Sequence, residues 1–196
     1  MNTDFICKTA MDVPGYTTSE QHKLYAKLAK ALPDNARVLE IGCAWGRSTW
    51  AWLDCLPSTS KFYVIDNFLI DNRRLLEATN NISKVKNLHR KKITARQIFD
   101  SVINQHPNKN IIKHVWESDS QEWIKSKNFT KEWDLVFLDE CHTYKATAKW
   151  LDLFSDVPVV CGDDYNEKKY SGLVKAVNEY KNKEINIENN FFVIKN

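Results

Sequence analysis

Residues 37–48 read RVLEIGCAWGRS. The first five, RVLEI, form a short apolar run of the kind that makes a strand buried on both faces. Gly42 and Gly46 follow at i and i+4, and a helix is expected from about Ser48 until Pro57 stops it. Two glycines let the backbone turn sharply and approach a ligand closely, and the helix start offers free N–H groups. The spacing is G-x-x-x-G, with Ala44 inside it, and not the G-x-G-x-x-G that holds a pyrophosphate. Such a turn suits a ligand that lacks a diphosphate but carries a carboxylate.

Outward from this turn the chain alternates strands and helices. Upstream, residues 18–32 place Leu24, Leu28 and Leu32 at helical spacing, with Thr17, Thr18 or Ser19 as N-cap and Pro33 as the stop. Downstream, strands are expected at 61–65, 111–116, 134–138 and 157–161, with helices at 144–154 and 171–181 and a short one at 121–125. The last helix carries a stripe of Leu173, Val174, Val177 and Tyr180. Residues 184–187 and 191–194 flank Asn189-Asn190 as a hairpin. Residues 67–110 suggest two helices, at 71–80 and 93–104, separated by a basic segment with Lys84, Lys86, Arg90, Lys91 and Lys92. The pattern predicts an α/β fold: a Rossmann-like, doubly wound, mostly parallel sheet of about seven strands, closed by an antiparallel hairpin, with helices on both faces.

At 196 residues, 43% of them hydrophobic, the chain suits one domain over 1–196: an N-terminal helical segment (1–33) and a core (34–196). A net charge of +3 gives no case for a nucleic-acid-coating protein. There is no apolar run long enough for a transmembrane helix, and the start lacks the pattern of a signal peptide. The five cysteines are scattered and contain no CxxC pair, so the chain reads as reduced, intracellular and cytoplasmic. Only five glycines occur, fewer than the usual roughly 7%, so each is expected where geometry demands it.

In open α/β sheets ligands bind beyond the carboxyl ends of the strands, so strand-end residues carry the functional argument. Glu40 lies at the first. Asp66 ends the second, 24 residues beyond Gly42, where an acid either holds ribose hydroxyls or caps a turn. Ser118-Asp119-Ser120 follows the third, where Asp119 could take an adenine amine or N-cap the next helix. Asp139 ends the fourth and Asp163-Asp164 the fifth. Three carboxylates gathered there repel one another unless a cation joins them, and a hard oxygen cage suits Mg²⁺ or Mn²⁺. Each aspartate could otherwise cap a turn. His142, three residues past Asp139, is placed to accept a proton near neutral pH.

Together these motifs resemble class I S-adenosylmethionine-dependent methyltransferases. The closer likeness is to the metal-dependent sugar and macrolide O-methyltransferases and methyltransferase-24-type domains. The resemblance runs from Gly15 to the C-terminus and rests on GYTTSEQHKLYAKLAKAL, VLEIGCAWGRST, VFLDECHTYKATAKWLDLF, and GDDY followed by GLVKAVNEY. It implies that Gly15, Glu40, Gly42, Gly46, Ser48, Asp66, Ser118 and Asp119 bind the cofactor. It further implies that Asp139, Asp163 and Asp164 hold the metal, that His142 is the base, and that 67–110 helps select the substrate. Glu140 stands where relatives often carry a small residue, and His142 where catechol-type relatives carry lysine. The implied acceptor is a sugar or other glycosylated small molecule, with no membrane partner and homo-oligomerisation left open. An RNA methyltransferase, or a non-catalytic cofactor-binding subunit, are the rival readings.

Overall fold

The computed structural model describes residues 6–71, 74–79, 92–127, 129–180 and 183–196. In chain order the main elements are α1 (Ser19–Ala29), β1 (Arg37–Ile41), α2 (Arg47–Cys55), β2 (Lys61–Asp66), α3 (Leu75–Ala78), α4 (Ala95–Ile103), β3 (Ile112–Glu117), α5 (Ser120–Trp123), β4 (Leu135–Leu138), α6 (Tyr144–Leu153), β5 (Val159–Gly162), α7 (Glu167–Glu179), β6 (Glu184–Glu188) and β7 (Phe191–Lys195). The strands form one sheet in the order β3-β2-β1-β4-β5-β7-β6. The first five run parallel, and β7 enters antiparallel to both β5 and β6. This is the expected doubly wound sheet with its closing hairpin.

Alternation along each strand sends side chains to two cores, one per face. Val38, Phe62, Val64, Leu135 and Phe137 pack beneath α1, α2 and α4, where the rings of Tyr25 and Trp52 stack 4.5 Å apart. Leu39, Ile41, Ile65, Val136 and Leu138 face the other way, toward Trp150 of α6 and Leu173 and Val177 of α7. Glu40 shares the parity of Val38, so its carboxylate is driven into the first core.

Two boundaries differ from expectation. The helix expected at 171–181 begins earlier, at Glu167, because the Asn166 side chain accepts from the N–H groups of Lys168 (3.1 Å) and Lys169 (3.2 Å). Tyr170 then breaks the helical path with φ −134° and ψ 53°. Of the helix expected at 71–80, the described part is the single turn Leu75–Ala78. Lys84, Lys86, Arg90 and Lys91 of the basic segment lie outside the described residues. No disulfide joins the cysteines among the described residues, and no helix there is long and apolar enough to cross a membrane.

Candidate active site

Backbone hydrogen bonds stitch the strand ends together. Asp139 N–H donates to Ile41 (2.8 Å), Gly42 N–H to Ile65 (2.9 Å), and Ser118 N–H to Asp66 (3.1 Å). The C-terminal ends of β4, β1, β2 and β3 therefore arrive at one level, and an open cleft of about 990 Å³ lies over them. That volume is enough for a nucleoside-sized ligand beside a second small molecule.

Gly42 has φ +88°, and a Cβ built on it would stand 2.0 Å from the Asp139 carbonyl oxygen. The turn and the end of β4 can meet only because no side chain intervenes. Gly46, at φ +100°, is the N-cap of α2 and packs against Phe99, so it shapes the turn without lining the cleft. Gly15 clears the way for Arg47, whose Cβ would lie 2.5 Å from an added methyl. The Arg47 guanidinium then donates to the carbonyls of Val13 (2.7 Å), Thr17 (3.2 Å) and Ala78 (3.0 Å), fastening the N-terminal turn beside the glycine turn. Sequence reasoning did not single out Arg47, whose partners are 30 or more residues away in the chain.

The cofactor residues separate into two groups. Gly15, Gly42, Ser48, Asp66 and Ser118 line the cleft. The Asp66 carboxylate also accepts from the N–H groups of Cys43 (2.8 Å), Ala44 (2.9 Å) and Phe68 (2.5 Å), so it fixes the glycine turn from below. Glu40, Gly46 and Asp119 do not line it. Asp119 caps α5, accepting from Gln121 N–H (2.8 Å) and Glu122 N–H (3.2 Å). Glu40 is fully buried, and its carboxyl meets the hydroxyls of Ser48 (2.5 Å) and Thr49. It props the start of α2 from inside the protein and does not reach the ligand side.

Burial pushes the Glu40 carboxyl up to about 8, although both hydroxyls pull the other way. A group that holds its proton more tightly when folded loses stability as pH rises between its unfolded and folded values. Glu40→Gln is therefore expected to fold with a melting temperature that gains on wild type as pH climbs from 4.5 to about 8 and then levels off. Asp163, also pushed up to about 8 by burial and by Asp139, titrates in both proteins, so their difference reports Glu40 together with its coupling to Asp139 and Asp66. Parallel thermal melts across that range check it; a constant difference overturns it.

At the other end of the cleft, Asp139, His142 and Asp164 each offer a ligand atom within 4.8 Å of the others. His142 Nε2 lies 3.0 Å from Asp164 Oδ2 and 3.8 Å from Asp139 Oδ1. Its ring rests on Tyr170 with centroids 4.3 Å apart, an alignment that the break in α7 permits. Asp164 sits at a left-handed φ of +61°, a conformation aspartate tolerates, which turns it toward the histidine. Asp163 is not in this group. Only 7% exposed, it accepts from Gln21 Nε2 of α1 and from Asp164 N–H (2.6 Å). Gln21 also donates to the Asn189 carbonyl (3.4 Å), so α1, the Asp163-Asp164 turn and the hairpin are tied at one point. The expected trio of aspartates is thus split: two carboxylates and an imidazole converge, and the third carboxylate is held from the side.

Burial acts to lower the His142 pKa, but the Asp139 and Asp164 carboxylates overcome it and raise the imidazole to about 10. Burial likewise raises Asp139, with the repulsion of Asp164 adding to it. Two half-buried carboxylates close together, Asp139 and Asp164, with the imidazole beside them, form an oxygen donor set that fits a small divalent cation. Glu140, next to Asp139 in the chain, lines the same cleft. Burial raises its carboxyl, the Ser120 hydroxyl opposes that, and the charges of Asp119 and Asp66 reinforce it.

A parallel sheet in this order, with a glycine turn after β1, an acid after β2 and a carboxylate-imidazole cluster after β4 and β5, has the architecture of class I S-adenosylmethionine-dependent methyltransferases. A family model described as a methyltransferase domain matches residues 39–165, and the chain belongs to that family, the methyltransferase-24 domains. No curated protein matches the sequence. Among solved structures, the fold is similar to the O-methyltransferase TomG from Streptomyces achromogenes, involved in tomaymycin synthesis and in complex with SAM. That match has 16% identity and a TM-score of 0.52, and covers 92% of this chain and 81% of that one. It is also similar to the SAH-bound methyltransferase PaMTH1 from Podospora anserina, at 14% identity and a TM-score of 0.54, covering 92% and 79%. A methyltransferase from Geobacter sulfurreducens matches at 11% identity and a TM-score of 0.51, covering 91% and 79%.

Proposed function

We propose that this chain is a divalent-cation-dependent O-methyltransferase that moves the methyl group of S-adenosylmethionine to a hydroxyl of a sugar or glycosylated small molecule. The observation that carries the reading is the Asp139–His142–Asp164 cluster, standing in the same cleft as the Gly42 turn and Asp66. When bound, the cofactor supplies an electrophilic sulfonium methyl, and the cation a Lewis-acid contact that lowers the pKa of the acceptor hydroxyl.

The chain's own residues do the rest. Ser48, Asp66 and the Gly42 turn bind the cofactor, the turn through its close backbone surface. Asp139 and Asp164 hold the cation, with Asp163 beside them and steadied by Gln21. His142 Nε2 accepts the hydroxyl proton, its ring kept in place by Tyr170. Holding acceptor and donor in line accounts for much of the rate.

The test is a methyl-transfer assay over a panel of sugars and glycosides, read as a gain in mass of one methylene, with and without chelator. Turnover is expected to vanish in excess chelator and return with Mg²⁺ or Mn²⁺, while S-adenosylhomocysteine still binds. Full turnover in chelator refutes the cation's part, and methylation confined to RNA refutes the acceptor.

A further inference from the structure

Beyond the strand ends, two elements far apart in the chain contribute to the cleft wall: the turn of α3 and the start of α7. Although α3 is short, it is fastened to the N-terminal turn. Gly15 N–H donates to the Ala78 carbonyl (3.1 Å), Arg47 donates to the same oxygen (3.0 Å), and the Tyr16 hydroxyl donates to the Arg74 carbonyl (3.4 Å). Arg74, the residue that opens α3, is thereby held in the cleft wall, and Lys169 and Tyr170 of α7 line the same cleft. The Tyr170 ring rests on His142. Burial raises the Tyr170 phenol, the charges of Asp164 and Asp139 add to this, and Arg74 opposes it, so the guanidinium lies within electrostatic reach of the reactive end.

The aspartates at the strand ends are committed to the glycine turn, to Gln21 and to His142, and Arg47 is committed to three carbonyls. Arg74 and Lys169 differ. Both are exposed, and neither side chain makes a hydrogen bond or ion pair among the described residues, although Glu77 stands three residues beyond Arg74 in the same wall. The acids of the reactive end balance a divalent cation and the sulfonium of the cofactor, which leaves these two positive charges to the acceptor. A guanidinium forks onto a carboxylate or phosphate, and an ammonium adds a point charge. We propose that the acceptor carries an anionic group, a carboxylate or a phosphate, and that Arg74 and Lys169 hold it while its hydroxyl lies against the cation and His142. This rests on the O-methyltransferase reading above and narrows its acceptor from glycosides in general to acidic ones, uronosides or sugar phosphates.

The test compares kcat/KM over matched acceptors: neutral glycosides, the corresponding uronosides and the corresponding sugar phosphates. The wild-type protein is expected to prefer an acidic series by about tenfold or more, the scale of a hydrogen bond between charged groups, and chiefly through KM. Whether the uronosides or the phosphates lead distinguishes the two anions. Arg74→Gln and Lys169→Gln should each narrow the preference, and the double variant should abolish it. S-adenosylhomocysteine affinity by calorimetry and Mn²⁺ affinity by electron paramagnetic resonance should be unchanged, and melting curves confirm that the variants fold. Equal turnover of neutral and acidic acceptors by the wild type, or a preference that survives the double variant, overturns the proposal. So does a matching loss of S-adenosylhomocysteine affinity, which would put Arg74 and Lys169 on the carboxylate of the cofactor. Methylation of no member, with S-adenosylhomocysteine still bound, overturns the sugar acceptor and this proposal with it, whereas failure to bind S-adenosylhomocysteine overturns the methyl-transfer reading itself.

Discussion

His142→Ala is expected to lose about 10²–10⁴-fold in kcat, the usual cost of removing a general base, with cofactor affinity close to normal. The alternatives nearby are poor. Asp139 and Asp164 are carboxylates, and a cation that they bind holds them in the charged, weakly basic form. Alone between them, the imidazole is raised to about 10 and stays protonated at neutral pH. Once the charge of those carboxylates is neutralised, they no longer keep the proton on Nε2, and a neutral imidazole can accept one. The wild-type rate should therefore climb with pH as Nε2 loses its proton, and the variant should lack that limb but recover partly at high pH. Mn²⁺ affinity separates the base from a ligand: a base leaves it unchanged, whereas a ligand lowers it on removal. A variant within about threefold of wild type, far short of the loss of a base, removes His142 from the reaction.

Gly42→Ala is expected to be the most damaging single methyl in the site. The added carbon would stand 2.0 Å from the Asp139 carbonyl oxygen, on backbone at φ +88°. Neither problem can be solved by rotating a side chain, because the obstacle is the end of β4 itself. Strain at such a residue typically costs about 1–3 kcal/mol, and the clash adds to it. The turn and the end of β4 must then part, so cofactor and cation binding should fall together although alanine is chemically inert. Calorimetry with S-adenosylhomocysteine and Mn²⁺ titration on the folded variant check this. Normal affinity for both would mean that the contact relaxes harmlessly.

What the sequence made legible is what local rules determine. RVLEI at 37–41 and KFYVI at 61–65 read as strands because apolar runs of that length between turn residues have few alternatives, and they are β1 and most of β2. The hairpin was legible from Asn189-Asn190, both of which take the left-handed conformation that asparagine accepts. Gly42 was singled out as a geometric necessity, and its contact with Asp139 supplies the reason. Other placements depend on contacts that the sequence does not display. Glu40 looked like a ligand contact because it lies next to the turn, but strand parity buries it against Ser48 and Thr49. Asp163 looked equivalent to Asp164, but Gln21, 142 residues earlier, holds it to one side while the left-handed backbone of Asp164 turns that residue toward His142. Asn166 concealed the start of α7 because the residues it caps are polar and charged and show no apolar period.

The knot of Gln21, Asp163 and Asn189 also bears on how the molecule assembles. Its members come from an early helix, the end of β5 and the hairpin turn, and Tyr165 N–H adds a bond to Asn190 (2.8 Å). Contacts between segments so distant in the chain carry a large loop-closure cost, so they form late, after the local helices and the neighbouring strands β1 and β2. The Asp163-Asp164 turn takes its partners from α1 and from the hairpin, so that end of the cleft is expected to be completed only when β7 pairs with β5 and β6. A ligand that binds only this completed end draws the equilibrium toward the closed sheet, so occupancy of the cleft is expected to protect the hairpin from opening.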